Sequence, residues 1–342
     1  MFMGAGQAQQ QVSSLLAAAD AQQARGQIAE AMATLRQAKD IAHAGGGPAL
    51  TAQAAAAIGV VQAAAGQGVQ ALAAMQEAAE LFGLAGDRAS QARALIQVAS
   101  LQAASGQFDT AKNLLGSCLA TAGQLADSRL TCEVRLATGQ LLLSTRYAAG
   151  AASEFRAGLA IAIGLPDAIV QVQLRAYLAI AVHQCGQATE AITLLTENAK
   201  VAQQIPDGIA GAMGLSTVSD ALLAIQRPLD ALAVGKQALA RLQLTGAQPL
   251  IIQALIGLAN LYALTGQAAE AASHASQAIA AGGQLDGPAG TASVLLRLGA
   301  AAMQRGDAGA AADLLRQARS QLRTAGLPEP PMLTQMLGQL SS

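Results

Sequence analysis

Residues 88–127 read RASQARALIQVASLQAASGQFDTAKNLLGSCLATAGQLAD, and the rest of the 342-residue chain repeats the pattern of this stretch. Its central Gly106-Gln107 pair has counterparts at Gly26-Gln27, Gly66-Gln67, Gly186-Gln187 and Gly266-Gln267, which follow one another at intervals of 40 or 80 residues. A fixed period of this length is the sequence signature of a repeat protein. The period predicts eight contiguous repeats, at residues 8–47, 48–87, 88–127, 128–167, 168–207, 208–247, 248–287 and 288–327.

Two columns of small residues run through the repeats. One column holds Ala in every repeat, at Ala31, Ala71, Ala111, Ala151, Ala191, Ala231, Ala271 and Ala311. The other, twelve residues earlier, holds Ala, Gly or Ser, at Ala19, Gly59, Ala99, Gly139, Ala179, Ser219, Ala259 and Gly299. Small side chains let two helix backbones approach closely, while larger neighbours fill the space between them. Each repeat is therefore predicted to be a pair of packed helices, A and B.

The ends of these helices carry their own signals. The recurring Gly suits the residue after helix A, because Gly takes a left-handed backbone conformation without a Cβ clash. Repeats four and six have Arg146-Tyr147 and Gln226-Arg227 there, which we interpret either as ordinary repeat drift or as a local change of superhelix pitch. Residues suited to helix starts are Asp87, Asp127, Asp167 and Asp207 as N-caps, and Pro48, Pro288 and Pro328 as first helical residues.

The composition argues against several classes of protein. The chain has 20 basic and 21 acidic side chains, and 53% of its residues are hydrophobic. This hydrophobic content excludes a disordered chain, and the near-zero net charge argues against a nucleic-acid partner. No apolar run is expected to reach the length of a membrane span, and the first residues lack the features of a secretory signal. Three Cys fit a reducing compartment, so a cytoplasmic location is predicted.

The pattern resembles the tetratricopeptide repeat family over residues 8 to about 327. The residues that carry the resemblance in repeat three are an apolar-small pair in helix A, a Gly before helix B, an Ala in helix B and a small residue seven later: Val98, Ala99, Gly106, Ala111 and Cys118. The period is similar to that of Pins-type adaptors and maltose-regulator-type sensor domains. The resemblance implies an all-α, right-handed α-solenoid with helices A on its inner face, which binds peptides or proteins and is not an enzyme.

If helices A line a groove, helical spacing predicts which side chains face it. The resulting set is mostly amide and apolar, and Arg93 and Glu133 lie on neighbouring helices, where we expect them to pair with each other. A neutral groove suits an apolar or helical segment of a protein or peptide partner. The candidate binding residues are Arg93, Glu133, Gln140, Gln173, Tyr177, His183, Gln184 and Asp220.

Repeat five offers the richest chemistry in this set. Tyr177, His183 and Gln184 lie on its helix A beside Gln140 and Gln173, so a ring, an imidazole and several amides are available to orient one ligand. In the alternative interpretation, His183 is a tolerated polar residue near a helix end.

Other ligand chemistry is sparse in the sequence. Arg135 and Arg175 share one column on adjacent helices, where they either hold an anionic group of a partner or extend past their neighbours into solvent. His183 and Cys185 are two residues apart, but a metal site requires three or four ligands. No phosphate loop and no set of nucleophile and base is recognisable, so no metal, cofactor or catalysis is predicted.

Residues 328–342 follow the last repeat and form a further amphipathic segment. Its apolar residues recur at helical spacing: Met332, Leu333, Met336, Leu337 and Leu340. Such a helix either caps the last helical pair, as terminal repeats require, or docks into another chain and mediates self-association.

These observations together predict a non-enzymatic scaffold or adaptor that binds a protein or peptide in a groove centred on repeats three to six. The alternative is a sensor domain for a small molecule or a short peptide.

Overall fold

The computed structural model describes residues 5–24 and 27–340, and over these ranges the chain consists of α-helices and turns without a β-strand. This confirms the predicted all-α class. The helices are α1 (Ala5–Ala24), α2 (Ile28–Ile41), α3 (Gly47–Ala64), α4 (Gly68–Leu84), α5 (Arg88–Ala104), α6 (Phe108–Leu125), α7 (Ser128–Ser144), α8 (Ala148–Ala162), α9 (Ala168–Gln184), α10 (Ala188–Gln204), α11 (Gly208–Ala224), α12 (Pro228–Gln243), α13 (Gln248–Leu264), α14 (Ala268–Gln304), α15 (Ala308–Thr324) and α16 (Pro331–Gln339).

The chain divides into two compact units, Met1–Ala191 and Ile192–Ser342, which we call the N-terminal and C-terminal units. In each of them helices follow one another at the 40-residue period, so that α5, α7, α9, α11 and α13 begin at equivalent positions. Each unit is thus a stack of helical hairpins, the architecture of an α-solenoid. The sequence period gave no signal for the division, because it runs through Ala191 without interruption.

The helix starts predicted at Pro48 and Pro288 are confirmed, because the backbone is non-helical immediately before each of them, whereas the start predicted at Pro328 differs from the structure. Between α2 and α3 the chain stays helical through a π-helical turn, Ala42–Gly46, and Gly47 with φ 75° marks the break. Helix α14 joins two predicted helices and is interrupted by non-helical dihedral angles at Asp286 and Gly287. The prediction that Pro328 opens a helix is wrong. Helix α16 starts at Pro331, because each residue that precedes a proline in Glu329-Pro330-Pro331 is disfavoured in the helical region.

The turn between helices A and B keeps one backbone geometry across repeats. Gly66, Gly106 and Gly186 have φ values of 73°, 83° and 82°, as the Gly column predicts. Arg146 and Gln226 adopt the same left-handed conformation, with φ values of 60° and 61°. Because the turn is unchanged where Gly is replaced, the structure favours ordinary repeat drift over a change of pitch.

Aspartate N-caps fix the starts of four helices A, as predicted. The carboxylate oxygen Oδ1 accepts a hydrogen bond from a backbone N–H in the first turn at Asp87, Asp127, Asp167 and Asp207, over 3.0, 2.9, 3.1 and 2.6 Å. Such caps satisfy backbone donors that have no partner within the helix. These caps fix the residue at which each of the four helices begins, and therefore which of its side chains lie on each face.

The small columns are where helices A and B meet. The column of Ala residues is completely buried except at Ala271. Gly139 lies directly under the buried ring of Phe155, and a Cβ built on Gly139 would come within 2.3 Å of that ring. In the same column the Ser219 hydroxyl donates to the carbonyl oxygen of Ala231 over 2.8 Å. Contacts this close admit only small residues, which explains the column.

Helix α16 packs on the last hairpin. Leu333 is completely buried with Ala292, Leu315 and Leu322. Ahead of α16, Arg319 forms an ion pair with Glu329 over 2.5 Å, and its hydrogen bond lowers the pKa of the Glu329 carboxyl. The C-terminal segment therefore covers the end of the C-terminal unit, in agreement with the capping interpretation.

One helical run is long and apolar enough on average to be compared with a membrane span, although Gly47 interrupts it and it contains no uninterrupted apolar stretch of that length. It covers Ile28–Ala64, that is α2, the π-helical turn and α3, and 39% of its most apolar window is buried inside the protein. Its apolar character has a structural reason, because Ala52, Ala54 and Ala55 are completely buried between neighbouring helices.

Candidate binding groove

In the N-terminal unit, helices A contact one another in sequence. Helix α5 contacts α7, and α7 contacts α9, while α6 and α8 pack between them from one side. Helices A therefore form a continuous layer, and the side of that layer facing away from helices B is a candidate binding surface. Because α5, α7 and α9 start at equivalent aspartate N-caps, residues 40 apart in these helices occupy equivalent places on this surface.

A cavity of about 410 Å³ lies on this layer between α5 and α7. Its lining is Arg93, Ile96, Gln97 and Ser100 from α5, and Glu133, Leu136, Ala137 and Gln140 from α7. The two sets are the same four positions of consecutive repeats, spaced as one face of a helix. We call these four positions of every helix A the inner positions. Three predicted site residues, Arg93, Glu133 and Gln140, are brought together here.

Two lining residues of the cavity, Arg93 and Glu133, belong to a chain of ion pairs. Arg93 Nε donates to Glu133 Oε2 over 2.9 Å, which confirms the predicted pairing, and Arg93 Nη2 donates to Asp127 Oδ2 over 3.2 Å. Arg129 continues the chain, with Nε 3.2 Å from Glu133 Oε1 and Nη2 3.0 Å from Asp167 Oδ2. Two guanidinium groups thus connect three carboxylates. Arg93 is consequently occupied by partners within the chain.

The floor and another part of the cavity lining are apolar and amide in character. Ile96 and Ala137 are buried and form the floor with half-buried Leu136. Gln97 and Gln140 stand above this floor, and neither amide has a hydrogen-bond partner within residues 5–24 and 27–340. An apolar floor beside free amides offers a place for an apolar side chain together with donors and acceptors for a peptide backbone.

The predicted residues of α9 have different surroundings. The ring of Tyr177 stacks on Phe155 with centroids 5.7 Å apart, so it takes part in the packing of the N-terminal unit. Gln173 is half-buried and Gln184 is exposed. His183 has a shielded Nδ1 without a hydrogen-bond partner among the described residues. Gln173 and Tyr177 occupy inner positions, whereas His183 and Gln184 lie beyond them.

The two arginines proposed to contact an anion differ from each other. Arg135 Nη1 donates to Glu154 Oε2 over 2.8 Å, so its charge is compensated by helix α8. Arg175 has a shielded Nη1 that makes no hydrogen bond in the described part of the chain. The residue forty positions after Glu154 is Leu194, so the sequence offers Arg175 no equivalent carboxylate.

Asp220 belongs to the C-terminal unit. It is the last inner position of α11, equivalent to Ser100 and Gln140. Its carboxylate is exposed and has neither an ion pair nor a hydrogen bond among the described residues, and desolvation by the surrounding protein raises the pKa of the carboxyl. The sequence-predicted set is therefore distributed over two units.

Sequence reasoning missed part of the cavity. Gln97 and Ala137 follow Arg93 and Glu133 by four residues, and this spacing was the signal that places them on the same face. Asp127 and Arg129 were not predicted as partners of the Arg93–Glu133 pair. Within the described ranges no cluster of three or more His, Cys, Asp or Glu side chains has the arrangement of a metal site.

No family model and no curated protein matches the sequence. Solved structures do resemble it. The Rap conjugation gene regulator of plasmid pLS20 in complex with the Phr* peptide is 16% identical, with 79% of this chain and 73% of that chain covered and a TM-score of 0.51. The apo form of RapI is 12% identical, with 79% and 97% covered and a TM-score of 0.52.

A further similar structure is the apo form of the quorum sensor NprR from B. thuringiensis, which is 14% identical, with 75% of this chain and 71% of that chain covered and a TM-score of 0.52. At these identities the likeness shows the fold. The fold is the tetratricopeptide-type helical repeat that the sequence pattern predicts.

Proposed function

We propose that this protein is a non-enzymatic binding protein that holds a peptide, or an extended segment of a partner protein, on the inner positions of its helices A. The observation that carries this proposal is the cavity between α5 and α7, which combines a buried apolar floor with two free amides. Ligand sites are concave and mostly apolar, with a few polar groups that orient the ligand.

The charges around the cavity indicate an uncharged occupant. Arg93 is already bound by Asp127 and Glu133, so it offers little attraction to an anionic group. The ion-pair chain contains three carboxylates and two guanidinium groups, which disfavours an acidic ligand further. An apolar side chain on Ile96 and Leu136, with its backbone bonded to the amides, meets all of these conditions. Gln173 and Tyr177 extend the same inner positions on α9.

The similar structures support a peptide as the occupant. The Rap regulator was solved with the Phr* peptide bound, and NprR is described as a quorum sensor. A sensor domain for a short peptide is therefore the second candidate function, and the shared fold favours it. A cytoplasmic location and self-association through α16 stay predictions.

The proposal is tested by filling the cavity. Gln97→Trp places a large side chain at its exposed rim, and Asn113→Trp places the same side chain on exposed helix α6, outside the cavity. Both variants, and the wild type, are used to capture proteins and peptides from the source cell, and the captured molecules are quantified by mass spectrometry. We expect at least one molecule to be lost with Gln97→Trp and retained with Asn113→Trp.

Equal capture by the wild type and Gln97→Trp would contradict the proposal. The sensor and the adaptor are then separated by thermal melting of the wild type with the captured molecule. A short peptide that binds the folded state alone raises the melting temperature, whereas an adaptor requires the intact partner protein.

A further inference from the structure

We propose that the inner positions of the C-terminal unit bind an extended peptide segment with a cationic group at one end and a carboxylate about six residues away, held by Asp220 and Arg297 respectively. This inference rests on the proposed function and specifies the ligand at a second place on the helices A.

The register of the repeats places both residues on the same surface. Asp220 in α11 is equivalent to Gln140, and Arg297 in the second part of α14 is equivalent to Gln97, and both of those residues line the cavity of the N-terminal unit. The repeat between them contributes Gly257 from α13. A Cβ built at Gly257 would meet no atom within 4 Å, so the surface is open between the two charges.

Neither charge has a partner among the residues that the structure describes. Asp220 and Arg297 make no ion pair and no hydrogen bond among the described residues, although the neighbouring Asn260 accepts a hydrogen bond from Arg305. Both residues are exposed, and desolvation by the surrounding protein raises the pKa of the Asp220 carboxyl and lowers the pKa of the Arg297 guanidinium. An opposite charge brought to either group relieves this cost.

The spacing of the two charges sets the length of the segment. Helices α11 and α13 both pack on α12, and α13 packs on α14. With neighbouring helices A about 10 Å apart, two such steps from α11 to the second part of α14 amount to about 20 Å. An extended chain advances about 3.3 Å per residue, so about six residues cover this distance. Between the charges, Ile256 of α13 supplies an apolar floor. This apolar surface fits the central residues of the segment.

The test uses two libraries of capped hexapeptides, one with Lys first and Glu last and the other with the reverse order. The four central positions are randomised, and peptides captured by the immobilised full-length chain are quantified by mass spectrometry. We expect one order to be captured about tenfold more than the other, because in the same chain direction the opposite order sets like charges together. Since the groups are exposed, the double reversal of Asp220→Arg with Arg297→Glu should fold and should invert this preference.

Arg316→Glu, a charge reversal on exposed helix α15, is the matched control and should leave the preference unchanged. Capture of both orders equally by the wild type, no capture of either library, or an unchanged preference in the double reversal would overturn the inference. Such results leave the effect of Gln97→Trp on partner capture as it is, so failure here is distinguishable from failure of the proposed function.

Discussion

Among the described residues, charged side chains at the inner positions form an ion pair in the N-terminal unit and form none in the C-terminal unit. In the N-terminal unit Arg93 and Glu133 bind each other and are extended by Asp127 and Arg129 into one chain of ion pairs. In the C-terminal unit Asp220 and Arg297 stand without partners within the described residues. The repeat period and the fold of the hairpins are the same in both units. The difference therefore comes from the side chains alone.

This contrast shows that the same helical repeat can present two surfaces that differ in the charge they offer to a ligand. Where charges on neighbouring helices are complementary, they neutralise each other and leave amides and apolar surface for a ligand. Where they are separated by an intervening repeat, they remain available to a ligand. The small-residue columns do not affect the charge of the inner positions, because they lie where helices A and B pack against each other.

The largest expected effect compares two glycines of helices A. Gly139→Ala places a methyl group within about 2.3 Å of the buried Phe155 ring, and this overpacking should lower the free energy of unfolding by roughly 1–3 kcal/mol. Gly257→Ala meets no atom within 4 Å, and it should raise the free energy of unfolding by roughly 0.5–1 kcal/mol through helix propensity. Urea denaturation followed by circular dichroism gives both values. Changes of equal sign would contradict the assigned surroundings.

A smaller effect compares the two arginines. Arg93→Met removes a guanidinium that binds two carboxylates, and we expect a loss of about 0.5–1 kcal/mol because the pairs are partly exposed. Arg297→Met removes a charge without a partner, and the free energy of unfolding should stay within about 0.5 kcal/mol of the wild type. The same urea titration measures both. A larger loss for Arg297→Met than for Arg93→Met would show that Arg297 has an internal partner.

The smallest effect concerns Asp220 and its pH dependence. Its raised pKa means that the charged carboxylate is less favourable in the folded state than in the unfolded state. Asp220→Asn should therefore raise the free energy of unfolding by a few tenths of a kcal/mol at pH 7. The gain should disappear as the pH falls from the folded-state pKa to the unfolded-state value of about 3.9, because the wild-type carboxyl then becomes neutral in both states. A gain that persists at pH 3 would contradict this explanation.

Much of the fold could be predicted because its determinants are local and repeat in register. The Gly turns, the Asp caps and the buried Ala column each follow from backbone or packing constraints that act at fixed positions. The turn at Gln226 shows that the absence of Gly does not predict a different turn, because the surrounding structure holds a non-glycine residue at φ 61°. The break before Pro48 lies at Gly47, as predicted, but a π-helical turn continues α2 up to it, which a Gly-rich stretch does not reveal.

The site was harder to predict because it depends on pairing between repeats. The pairing of Arg93 with Glu133 followed from their equivalent positions, but the addition of Arg129 depends on side-chain conformations that a period does not specify. Tyr177 was predicted as a groove anchor from its chemistry. Its ring packs on Phe155, which belongs to a helix of the preceding repeat, and one sequence gives no signal for that contact.

The central claim is that ligands bind on the inner positions of helices A, and site-specific photocrosslinking in the source cell tests it most directly. A photoreactive amino acid is placed at Gln97 or Gln140 in the cavity, and at exposed Asn113 on α6 or Lys236 on α12 as controls on helices B. We predict that a partner or peptide is crosslinked from Gln97 and Gln140 and not from the two controls. Crosslinks from Asn113 or Lys236 alone would place the binding surface on helices B and contradict the account.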